Sequence, residues 1–245
     1  MRNGTTPKQN TRNGLFRLIP PAALFAGLAL ALCWGLVFEY APKESTLGLP
    51  QKIFYLHLPL AWWALTGFFL TFVAGAAYLC TGREHWDAAG AACAEVSLVF
   101  AFLAVISGSI WARASWGVWW TWDARLTTAL IMCFVYAGYL ILRRPDMPPA
   151  RRARISAVLG IAAFLDVPLV FFSARLWSYI HPPSISLEPE MKMTLAACLV
   201  AFAPLWLCLT ALRMKIDLDG RRLDALQAAR LLREDRCRDK REVQL

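Results

Sequence analysis

The sequence predicts an all-α membrane protein, a single bundle of six transmembrane helices, on three observations. Of its 245 residues 58% are hydrophobic and only 18% charged, with a mean hydropathy of +0.45, a balance that suits lipid rather than water. Six apolar runs come close to or reach the roughly 20 residues needed to cross hydrocarbon. Basic residues flank those runs instead of interrupting them. No repeat of roughly 20–50 residues and no low-complexity linker divides the chain, so one domain over residues 1–245 is the economical architecture.

The spans follow in order. Residues 1–17 are polar and basic (Arg2, Lys8, Arg12, Arg17), and the apolar run behind them, Leu18 to Phe38, is too long for a signal peptide and lacks a small-x-small cleavage site. It reads as a retained first span. The second runs from Leu58 to Cys80, with Pro59 in its first turn, and the third from Ala91 to Ala112. The fourth, Leu126 to Leu142, is short but fixed between Arg125 and the pair Arg143-Arg144. The fifth covers Ile155 to Ser173 and the sixth Met193 to Leu212.

Orientation comes from the Lys and Arg residues, which crowd the cytoplasmic side of a membrane protein. Twenty of the 26 fall on the side of the two termini and six (Lys43, Lys52, Arg113, Arg125, Arg175, Lys192) on the other. Both termini are therefore expected in the cytoplasm, with outer loops near 39–57, 113–125 and 174–192. The tail 214–245 reads as cytoplasmic, either a solvated helix or, through Leu223, Leu226, Ala229 and Leu231, a weak apolar face against lipid or a partner.

The formal charge of +9 belongs mostly to these flanks, so nucleic-acid binding is not implied. Seven cysteines are odd in number and none lies in an expected outer segment, which gives no disulfide framework. The chain has no Cys-x-x-Cys-His and so cannot attach haem covalently in the c-type manner.

Five of the eleven tryptophans (Trp111, Trp116, Trp119, Trp120, Trp122) fall within twelve residues, around Trp116-Gly117-Val118-Trp119-Trp120-Thr121-Trp122-Asp123. Rigid, flat rings with one hydrogen-bonding edge make a platform for a large planar apolar molecule. The alternative is an interfacial aromatic belt, since tryptophan collects where helices leave a bilayer. A belt needs neither Gly117, which allows close approach, nor the opposite charges of Asp123 and Arg125.

Of three histidines, His57 and His181 fall on the tryptophan face and His85 on the other. Two imidazoles beside a flat apolar platform suit haem. Its iron takes one neutral imidazole per face, aromatic rings cover the porphyrin, and cations such as Arg113, Arg125, Arg175 or Lys52 meet the propionates. Each histidine taken alone could equally be a satisfied interfacial residue, and His181-Pro182-Pro183 could simply set loop geometry. Glu95 and Asp166, within spans, could mark a proton or substrate path or be structural; neither is assigned a site.

The run Trp-Gly-x-Trp-Trp-x-Trp-Asp-x-Arg-Leu-Thr, Trp116 to Thr127, resembles the signature of the tryptophan-rich (WWD) haem-handling proteins of cytochrome c biogenesis. Six spans and this length are most similar to the CcmC family, the haem-delivery subunits of system I maturation. The resemblance implies a bacterial inner-membrane protein whose outer tryptophan loop binds haem b as transient cargo. It makes histidines of the first and last outer loops, His57 and His181 here, the axial ligands. It further implies delivery to the periplasmic chaperone CcmE, helped by the small subunit CcmD, and association with the ABC transporter subunits CcmA and CcmB. The larger relatives CcmF and CcsA carry more spans and further histidines, for which this chain has no room. No hydrolytic triad or phosphate loop appears, so any energy from ATP must come from a partner. Two other classes fit parts of the pattern: a cytochrome b-like redox subunit, whose ligands normally sit on helix faces within spans, and a solute permease with an aromatic gate.

Overall fold

The computed structural model describes residues 19–44, 47–143, 147–176 and 187–242, with residues 174–176 and 237–242 as backbone only. Six helical segments are long and apolar enough to cross a membrane, as expected. Helix α1 (Ile19–Gly35) opens with Pro20 and Pro21, where the missing N–H groups would have had no partner anyway. It ends in a single π-type turn, Leu36–Tyr40, closed by Ala41 N–H donating to Leu36 O at 2.9 Å. A short 3-10 turn, Leu49–Ile53, leads into α2 (Phe54–Thr81), which a tight turn at Gly82 joins to α3 (Glu84–Trp116). At about 1.5 Å per residue both exceed the roughly 30 Å of hydrocarbon, so their ends reach the polar layers. Helices α4 (Ala124–Ile141), α5 (Pro149–Ala163), α6 (Asp166–Leu176) and α7 (Pro189–Glu242) complete the bundle.

Three boundaries depart from expectation. Helix α2 begins at Phe54, so His57 lies in its first turn rather than in the preceding loop, and Pro59 sits one turn inside the helix. The fifth span is two helices, because Pro168 has no N–H to offer Phe164 O and its ring collides with that carbonyl. The chain turns there through Leu165 N–H to Ala162 O and Val167 N–H to Phe164 O, both 3.1 Å. The sixth span does not stop near Leu212 but continues into the tail as one helix of 54 residues. Ion pairs one turn apart support that extension: Lys215–Asp219 at 2.6 Å, Asp217–Arg221 at 2.7 Å and Arg230–Glu234 at 2.8 Å.

The principal core joins α2, α3 and α4 with Val167 and Val170 of α6 and Phe202 and Trp206 of α7. Its middle layer is the tightest. Phe68 stacks on Tyr136 with ring centroids 3.7 Å apart, and Trp206 Nε1 donates to Ser97 Oγ at 3.2 Å. Those two side chains press on Gly67, where an added Cβ would lie 1.8 Å from Ser97 Oγ and 2.5 Å from Trp206 Cζ2. Small residues let transmembrane backbones approach in this way. A second cluster (Cys33, Val37, Phe54, Tyr55, Trp111, Met191, Cys198) ties α1 and the start of α7 to the end of the bundle that carries His57.

The other end is polar. Asp87, 5% exposed, accepts from Arg143 Nη1 at 2.7 Å and Nη2 at 3.0 Å and from Arg221 Nη2 at 2.6 Å. One carboxylate therefore links α3, the end of α4 and α7. Glu95 is likewise paired, its two oxygens each 2.7 Å from Arg213 Nε. This pairing supports the structural reading for Glu95. Asp166 stands at the start of α6, just past the break.

Candidate functional site

His57 donates from Nδ1 to the Ala104 carbonyl at 2.9 Å. A carbonyl can only accept, so Nδ1 carries the proton and Nε2 keeps its lone pair. Ser107 Oγ, 3.4 Å from Nδ1, gives its own proton to the same carbonyl at 3.1 Å and leaves that tautomer undisturbed. The arrangement has the form in which a metal-ligating imidazole is held, with the far nitrogen anchored to backbone and the near one available.

Gly108 makes this placement possible. A Cβ there would lie 2.8 Å from His57 Cε1 and 3.1 Å from Nδ1, inside the imidazole's own space. Trp111, one turn on, stands tilted against the ring with centroids 6.1 Å apart, and Phe54 and Trp116 extend the aromatic wall at 5.7 and 6.1 Å from Trp111.

These groups border a cavity of about 210 Å³ walled by α2, α3, α4 and α6. Its lining is apolar (Ala64, Ala104, Met132, Cys133 and Val170 among others) apart from His57 and one cation, Arg125. Trp62 and Phe171, 51% and 46% exposed, stand at its rim. Trp111 Nε1 is buried without a hydrogen-bond acceptor, a donor in place and unsatisfied.

The expected site residues separate into two groups. His57, Trp111, Trp116 and Arg125 line one cavity. Trp111 and Trp116 belong to α3, so the tryptophan segment is not wholly a loop and the true connection is residues 117–123. Gly117 closes α3 in a left-handed conformation (φ 75°), with its N–H on Arg113 O at 3.1 Å. Trp119 and Trp122 are 58% and 77% exposed, while Trp120 packs edge-on against Trp122 at 5.9 Å and leaves its own Nε1 buried and unsatisfied. Ser109 Oγ ties this segment down by donating to Trp119 O at 2.6 Å.

Asp123 caps α4, accepting from Leu126 N–H at 2.8 Å. Asp123→Ala is expected to destabilise the protein by about 1 kcal/mol, read as a lower thermal midpoint in detergent. His181 and the side chain of Arg175 lie outside the described residues.

Two of the expected outer cations are engaged by the protein itself. Lys52 is buried and donates to Val37 O at 2.6 Å and Phe38 O at 3.1 Å, carbonyls of the π-type turn. Arg113 donates to Gly117 O. Arg125 is the one described cation in the cavity wall. The sequence reading missed Ala104, Ser107 and Gly108; their signal is the small-residue run Ser107-Gly108-Ser109 inside a span, which marks close packing by something large.

Comparison with known proteins identifies the family. Residues 5–229 match the family model described as CcmC, Heme exporter protein C. Proteins named Heme exporter protein C are similar over most of the chain. That of Escherichia coli K12 is 31% identical over 201 residues, covering 80% of this chain and 82% of its own. That of Rhodobacter capsulatus is 32% identical over 222 residues, covering 86% and 90%. That of Bradyrhizobium diazoefficiens is 32% identical over 194 residues, covering 76% and 74%.

Proposed function

Given that the chain belongs to the CcmC family of haem exporter proteins, we propose that it holds haem at the periplasmic face of the inner membrane and hands it to a periplasmic haem chaperone. Family membership supports the coarser part, a role in haem export for cytochrome c maturation as a multi-pass membrane protein of the Ccm complex. The observation that carries the finer part is His57. Its tautomer is fixed by Ala104 O, and it lines an apolar cavity with Trp111, Trp116 and Arg125.

A porphyrin supplies four donors of its own, so an imidazole per face completes the iron. Among the described residues no group of three or more His, Cys, Asp or Glu could hold a bare metal ion. Arg125 is suited to a propionate, the Trp111 indole N–H to a polar edge, and the aromatic wall to the ring.

His181 is the second axial ligand in this reading. Support comes from the described residues on both sides of its segment: Phe171 lines the His57 cavity, and Met191 belongs to the buried cluster that includes Trp111 and Tyr55. The position of His57 inside α2 removes one distinction from a cytochrome b-like subunit, whose ligands also sit on helix faces. Family membership separates the two where ligand position no longer does.

The test is the absorption spectrum of affinity-purified protein made with and without a co-expressed CcmE-type chaperone. Pigment that moves to the chaperone marks delivery; pigment that stays and cycles reversibly with quinone would mark a redox subunit. Gly108→Ala is expected to lower retained haem several-fold by displacing the His57 ring. Gly138→Ala, where an added Cβ meets nothing within 4 Å, leaves it unchanged.

A further inference from the structure

A second cavity, of about 190 Å³, lies at the end of the bundle opposite His57, between α3, α4, α5 and α7. Glu95 and Gly108 both belong to α3 and are thirteen positions apart, so the two sites are separated by about 20 Å along that helix. Its walls carry three guanidinium groups (Arg143, Arg152, Arg213) and two carboxylates (Glu95, Asp217). Ionised groups at such depth are ordinarily paired, and four of these five are. Arg143 grips Asp87, Arg213 Nε sits 2.7 Å from Glu95, and Asp217 lies 2.7 Å from Arg221.

Arg152 is the exception. Its Nε is buried with no acceptor, and no carboxylate among the described residues faces it in an ion pair. Among the described residues the lining therefore holds one uncompensated positive charge beside one orphaned donor.

We propose that this cavity binds a phosphate group, with Arg152 as its principal partner and Arg143 and Arg213 supplying the surrounding positive field. A guanidinium fork matches a phosphate's paired oxygens, and a phosphodiester's single negative charge cancels the single excess positive one. Position favours a membrane source. Arg143 follows the C-cap of α4, Leu142, and Arg152 lies in the first turn of α5, the level at which phospholipid headgroups meet helix ends. The shared chemistry is phosphate; the source is an anionic lipid or a soluble anion.

The experiment uses the full chain in nanodiscs at constant ionic strength. The thermal midpoint is compared in phosphatidylcholine alone, in phosphatidylcholine with phosphatidylglycerol, and in phosphatidylcholine titrated with inorganic phosphate. Phosphatidylglycerol is expected to raise the midpoint by several degrees, and native mass spectrometry to find it retained. Arg152→Gln should lose the shift and retain roughly tenfold less of that lipid, while Arg151→Gln, at an exposed neighbour, behaves as wild type. Arg152→Lys, which keeps charge but not the fork, falls between them. A shift with inorganic phosphate alone, lost in Arg152→Gln, would assign the site to a soluble anion. No shift in the wild type from either source, or an equal loss in Arg151→Gln, would overturn the site.

Discussion

His57→Ala is expected to strip the purified protein of most of its haem, with the Soret band falling by more than tenfold relative to total protein. The size follows from how completely the site rests on this residue. Disturbing only the outer partner of a metal-binding histidine typically costs about 10–100-fold in metal affinity, and this change would remove the proposed ligand itself. The cavity that remains is apolar apart from Arg125, so water can ligate the iron there but gains little support. Loss of folding is separable from loss of ligation. His57→Ala leaves Ala104 O with the Ser107 hydroxyl at 3.1 Å, so the thermal midpoint of the haem-free protein should fall only slightly. Imidazole added to the variant should restore part of the Soret band, which a merely structural role for His57 would not allow. An unaltered spectrum in His57→Ala would remove this residue from the iron.

The largest stability effect is expected at the far end of the bundle. Asp87→Ala should destabilise by about 3–5 kcal/mol, because it strands Arg143, 10% exposed, and leaves Arg221, 20% exposed, with Asp217 as its one remaining carboxylate among the described residues. Removing one partner of a buried ion pair is costly for the charge left behind, more than for the attraction lost. Asp87→Asn, which still accepts hydrogen bonds, should cost less. The measurement is the thermal midpoint in detergent, and equal midpoints for Asp87→Ala and wild type would show that the three-helix link does not stabilise the bundle.

Much of the architecture is legible in the sequence itself. Six apolar runs became six membrane-length segments, because hydrophobic length is a local property and needs no partner. The tryptophan signature pointed to a family for the same reason. Helix ends were less legible. The break at Phe164 was signalled by Pro168, but apolar length alone runs through it. The continuation of α7 was signalled by opposite charges four apart, which read equally well as a frayed tail.

Least legible was which polar group serves which end. Lys52 looked like an outer cation, yet it is consumed by carbonyls of a π-type turn that no periodicity announces. The Ala104 carbonyl that fixes His57 lies 47 positions away on another helix, and a backbone acceptor has no residue-type signature at all.

The layer formed by Phe68, Tyr136, Trp206 and Ser97 bears on how cargo travels. It fills the waist of the bundle between the imidazole chamber and the arginine-lined one, and Gly67 leaves its neighbours no slack. Packing this close offers a rigid disc as wide as a tetrapyrrole no opening between these four side chains. In the function proposed above, cargo would enter the chamber from its own end of the bundle or from the side, past rim residues such as Trp62 and Phe171, and not along the bundle axis through this layer.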